Sequence, residues 1–140
     1  DRGVPIRTPL PTRKNSMSES LYERLGGAPG IATLVDDIVA AHVDNPVIRA
    51  RFLPYLEDPD RLAVIKQHTC DFFSMGSGGP AQYSGRSMPD AHRGMNVSAA
   101  EYMAAVDDIL GALDKNKIDA TSRNDVLAIA WSLKDMIIHV

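Results

Sequence analysis

The chain is short of cysteine, of aromatic side chains and of uninterrupted apolar sequence, and each shortage excludes a class of protein. Its one cysteine, Cys70, allows no intramolecular disulfide and fits a reducing, cytoplasmic compartment. With no Cys-x-x-Cys pair, a structural zinc site and a covalently attached c-type haem are both unsupported. Polar and charged residues interrupt every apolar run, so no segment is suited to span a membrane, and no secretory pattern opens the chain. A formal net charge of −3 gives no footprint for nucleic acid. Familiar catalytic spacings are missing as well: no HExxH, no phosphate-binding P-loop, no GxSxG and no Gly-rich dinucleotide fingerprint. Cys70 follows His68 by two residues, a spacing that places them on different faces of a helix, so a nucleophilic Cys–His pair is disfavoured and a small core cysteine is expected.

What remains is a 140-residue chain of single-domain size with helical patterning. Residues 1–16, "DRGVPIRTPLPTRKNS", hold three prolines and four basic residues against one acidic residue, a net +3 that leaves −6 for the rest. They show no helical or strand period and are expected to be a disordered extension, with a basic interaction tail as the alternative. The folded domain is expected over 17–140. "SLYERLGG" predicts a short helix stopped by Gly26–Gly27. Ile31, Leu34, Val35, Ile38, Val39 and His42 form one helical stripe, ended by "DNP". A brief turn follows with Val47, Ile48 and Phe52. The next helix presents Leu62, Ile65, Thr69, Phe72 and Phe73, with Asp58 or Asp60 as its cap. A glycine-rich connector precedes "SMPDAHRGM". Ser98 and Glu101 then form a capping box for a helix burying Tyr102, Met103, Val106, Ile109, Leu110 and Leu113. A last helix uses Val126, Ile129, Ala130, Leu133, Met136 and Ile137. No stretch alternates in the manner of a sheet, so an all-α domain of five or six helices is expected.

The chemistry must then come from four histidines. His92 stands where the connector ends, with Met88 four residues before it and Met95 three after. Spacing alone leaves two readings, a satisfied core histidine or an imidazole held among soft apolar side chains as an axial ligand for haem iron. "LYERLGG", then "FFSMGSGGP", then "YSGRSMPDAH", in that order, resemble the truncated globins, and specifically their first group. The resemblance runs over residues 20–138.

That resemblance implies a two-over-two helical sandwich binding b-type haem, with His92 as the proximal iron ligand. It matches Phe52 to a phenylalanine stacked on the porphyrin, Phe72 and Phe73 to pocket aromatics, and Met88 to a residue near the proximal face. Tyr83, Arg86 and Lys66 are expected as propionate neighbours, or else as solvated polar groups. The distal side departs from the family pattern. The position of the usual helix-borne tyrosine is Val39, and that of the assisting glutamine is Thr69, so little is left to donate to a bound gas; Ile65 adds to an apolar pocket. His68 falls where some members carry a second iron-ligating histidine. His42 is expected in the core or at the surface, and His139 at the surface. The implied functions are binding of dioxygen, nitric oxide or carbon monoxide, with nitric oxide dioxygenation requiring a separate reductase. The alternatives are a bis-histidyl electron-transfer or sensing protein and a haem-free helical module.

Overall fold

A computed structural model describes residues 19–140, so the expectations for residues 1–16 lie outside the described residues. Seven α-helices follow in order: α1 Leu21–Arg24, α2 Gly27–Asp44, α3 Arg49–Leu56, α4 Pro59–Gly76, α5 Met88–His92, α6 Ala99–Lys115 and α7 Ala120–Leu133. A 3-10 turn, Lys134–Met136, ends the series. This exceeds the expected five or six. The elements not named from the sequence are α3, read as a turn, and α5, read as the end of the connector: α3 contains Pro54 and buries no residue fully, and α5 has only five residues, so neither carries much periodic signal.

Local chemistry fixes the helix boundaries. Gly26 and Gly27 take φ of +97° and +66°, the left-handed region, and so redirect the chain from α1 into α2 without a connecting loop. Asp58, not Asp60, caps α4: its Oδ1 accepts the Arg61 N–H at 3.1 Å, with Pro59 in the first turn. The capping box on α6 forms as expected, with Ser98 Oγ accepting from the Glu101 N–H at 3.1 Å and Glu101 Oε1 from the Ser98 N–H at 3.2 Å. Asp119 caps α7 through the Ser122 N–H at 3.0 Å.

α2 packs on α4, α6 packs on α7, and α2 against α6 joins the two pairs. Ile31, Leu34, Val35 and Leu113, with Leu21, Leu25 and Val126, make the central core. A second cluster of Val97, Tyr102, Val106 and Ile137 lies at the other end of α6 and α7. Two expected core residues are displaced outward: Met103 is 44% exposed and Met136 is 38% exposed. For Met136 the reason is that α7 stops at Leu133, so the 3.6-residue period no longer holds beyond it. Among the described residues there is no strand, only an isolated parallel bridge between Val97 and Ile138. No described helix is long and apolar enough to cross a membrane.

Candidate functional site

α5 is short and presents its histidine by local bonds. Ser87 Oγ caps it by accepting the Asp90 N–H at 3.3 Å, and Pro89 sits in the first turn. His92, in the last turn, donates from Nδ1–H to the Met88 carbonyl at 2.8 Å. A carbonyl can only accept, so the proton is fixed on Nδ1 and the lone pair is left on Nε2. This is the arrangement by which histidine ligands are oriented toward a metal. Met88 packs against the second core cluster, anchoring the helix from below.

α4 carries most of the other candidate residues. Only Ser74 of its residues is fully buried, while Leu62, Ile65, Lys66, His68, Thr69, Phe72 and Phe73 are half-buried. Phe73 turns toward the central core, as does Val39 from α2. Phe72 and His68 instead meet Tyr83 of the connector, both edge-on, with ring centroids 5.3 and 6.0 Å away. At its start the connector presses on Tyr22 and Ser74, where only glycine fits: a Cβ on residue 79 would fall 2.4 Å from the Tyr22 ring and 2.5 Å from Ser74 Oγ. His68 Nδ1 is buried and has no hydrogen-bond partner among the described residues. Thr69 Oγ1 donates to the Ile65 carbonyl at 2.8 Å, so its hydroxyl proton is occupied within α4. Lys66 pairs with Asp36 at 3.1 Å, and the Tyr83 hydroxyl donates to the Arg86 carbonyl at 2.6 Å. The Arg86 side chain is exposed and makes no ion pair among the described residues.

Phe52, on α3, is backed by a histidine. The His42 ring lies 5.1 Å from it, and His42 is buried rather than at the surface. His42 Nδ1 meets Asp108 Oδ2 at 2.7 Å, and Asn45 Nδ2 donates to both oxygens of the same carboxylate at 3.2 Å. Asp108, Asn45, Arg51 and Glu101 were not singled out from the sequence. The capping box marked Glu101 only as a helix start, and partners 50 to 66 residues apart leave no local signal. Arg51 holds the Glu101 carboxyl down to about 2, chiefly by hydrogen bonding. Burial pushes the Cys70 thiol up, which suits an inert, half-buried cysteine. His139 is exposed, as expected, and bonds Asn96 Oδ1 at 2.9 Å.

The donor set fits an iron porphyrin: an imidazole with a fixed tautomer on α5, and an apolar, aromatic face on α4. Clefts of about 300 Å³ and 410 Å³ flank α2 elsewhere, and neither is lined by His68 or His92. The family model for bacterial-like globins matches residues 20–139. The chain belongs to the bacterial-like globin family. A group 1 truncated hemoglobin from Tetrahymena pyriformis is 28% identical to this globin over 120 residues, covering 85% of this chain and 95% of that one. A group 1 truncated hemoglobin from Nostoc sp. (strain MUN 8820) is 24% identical, covering 86% and 98%. Among solved structures, the Fe(III) form of the Tetrahymena pyriformis truncated hemoglobin superposes with a TM-score of 0.78 at 21% identity, covering 87% of this chain and all of that one. The 2/2 hemoglobin from Synechococcus sp. PCC 7002 gives 0.73 at 25% identity, covering 83% and 94%. The expected group I truncated globin and its two-over-two fold are therefore borne out, and membership implies a haem cofactor and a gas ligand.

Proposed function

We propose that this globin holds haem b through His92 Nε2 and binds diatomic ligands (dioxygen, nitric oxide or carbon monoxide) on the α4 side. The observation that carries the reading is the Nδ1–H bond from His92 to the Met88 carbonyl at 2.8 Å, which orients the ring and raises its basicity. Haem, when bound, would supply an iron coordination position for the gas. The chain's own residues then set how that position is used. Phe52, Ile65 and Phe72 exclude water by apolar contact, and Arg86 is the cation offered to the propionates, since Lys66 is paired with Asp36, the Tyr83 hydroxyl donates to the Arg86 carbonyl, and Phe73 packs on the core. Val39 has no donor, and the Thr69 hydroxyl is already bonded within its helix. A hydrogen bond to a charge-bearing ligand contributes about 1.5–3 kcal/mol. Dioxygen retention is therefore weaker here than with a tyrosine–glutamine pair. Any nitric oxide dioxygenation draws electrons from a separate reductase.

A second reading places His68 on the iron as a sixth ligand, with electron transfer or sensing in place of stable dioxygen binding. It is favoured by the buried His68 Nδ1, which no group among the described residues engages, so that none of them fixes the ring at that atom. Absorption spectra of the haem-reconstituted ferrous protein, with and without carbon monoxide, separate the readings. High-spin bands that carbon monoxide shifts at once support the open site. Low-spin bands that His68→Ala abolishes support the second. A His92→Gly variant is expected to lose haem and to recover it with added imidazole; undiminished haem affinity in that variant refutes the proximal assignment.

A further inference from the structure

Arg51 directly precedes Phe52 on α3, and its guanidinium reaches across to two other parts of the molecule. Nη2 donates to the Met95 carbonyl at 3.0 Å and to Glu101 Oε1 at 3.0 Å, and Nε donates to Glu101 Oε2. Met95 lies three residues beyond His92. Glu101 is the third residue of α6 and already closes the capping box with Ser98. One carboxylate thus serves both the start of α6 and the arginine fork.

The same face of α6 is used again two turns later. Asp108, seven residues on from Glu101, takes His42 at 2.7 Å and Asn45 at 3.2 Å. Ala104, between the two acids, is buried. The corner that joins α2 to α3 is therefore fastened to α6 at two points, by Arg51 next to Phe52 in the chain and by His42, whose ring lies against that of Phe52.

The loop after His92 is tied to the C-terminal segment and to α3. Gly94 and Asn96 take φ of +85° and +49°, the left-handed region that glycine and asparagine tolerate. The Gly94 and Asn96 N–H groups donate to the Val140 carbonyl at 3.2 and 3.4 Å, and the His139 N–H to the Val97 carbonyl at 2.9 Å. Arg51 holds the same loop from α3.

We propose that Arg51 is a positioning residue that couples the Phe52 wall of the site to the segment carrying His92. The inference rests on the haem-binding reading above. The physical basis is the planar fork: five donors in fixed geometry satisfy a carboxylate and a carbonyl together, which the point charge of lysine does not. Glu101→Gln keeps a capping residue at its position but removes the charge that the fork pairs with.

The test uses the haem-reconstituted chain and its Arg51→Ala, Arg51→Lys and Glu101→Gln variants. Two quantities are read: the iron–histidine stretching band in resonance Raman spectra immediately after carbon monoxide photolysis, and the rate of haem transfer to excess apomyoglobin. Arg51→Ala is expected to shift or broaden the band and to speed haem loss about tenfold, the scale of one lost charged hydrogen bond. Glu101→Gln moves both readouts the same way, and lysine restores them only in part. Band and transfer rate unchanged in both Arg51→Ala and Glu101→Gln overturn the proposal, and a lysine variant matching the parent overturns the role of the fork. If Arg51→Ala does not fold, Glu101→Gln alone decides. A parent chain with no Soret band after reconstitution refutes the haem reading instead, independently of Arg51.

Discussion

Two histidines of this chain carry opposite kinds of bond, and the difference decides what each can do. His92 gives its Nδ1 proton to a carbonyl one turn back in its own helix, a bond that needs no distant partner. His42 meets a carboxylate 66 residues away on α6, and its ring is consumed in supporting Phe52. Asp108→Asn removes the charge facing a buried imidazole, and the cost is expected at about 1–3 kcal/mol by urea denaturation. Asp108→Ala, which also frees Asn45, should cost more. Both histidines fall at positions the sequence marks, His42 on the α2 stripe and His92 after the connector. The candidate role of His92 follows there from the family resemblance, not from its spacing to Met88. Nothing near His42 announces Asp108.

At the level of elements, capping chemistry is local, so the starts of the helices follow closely from sequence. The Ser98–Glu101 box is the clearest case, and Ser98→Ala is expected to lower stability by about 1 kcal/mol with an unchanged denaturant slope. Glu101 adds a pH dependence through its bond to Arg51. Its folded-state value of about 2 lies below the ordinary 4.5, so its contribution is full above pH 4.5 and is lost as pH falls toward 2. Equilibrium melts between pH 6 and pH 2 should fall less steeply in Glu101→Gln than in the parent. Elements without a period or a strong cap were harder to see. α3 contains Pro54 and buries no residue fully, and α7 stops before Met136, so neither limit was written in the apolar pattern.

For the whole molecule, the central core and the proposed haem-facing side of α4 are separate regions. The central core is built on α2, where Leu34 is 1% exposed; Leu34→Ala is expected to cost about 2–5 kcal/mol in a urea melt, as a cavity in close packing does. α4, by contrast, keeps its site face half-buried, so Phe72→Ala should cost less on the haem-free chain than Leu34→Ala while weakening haem retention more. A reversal of either order in paired urea and haem-transfer measurements would place Phe72 in the core instead.

The helical class and the glycine turns were determined by sequence alone, since periodicity and caps act over a few residues, and the family resemblance carried by "YSGRSMPDAH" made His92 the candidate ligand. The tertiary structure decided the rest. It set Phe72 and His68 against Tyr83 and sent Phe73 to the core, although both phenylalanines belong to one apolar run. It also joined Arg51 to Met95 and Glu101, and His42 to Asp108. These pairings depend on how helices distant in sequence are docked, and docking is fixed by the packing of α2 on α4 and α6, which no short stretch of residues specifies.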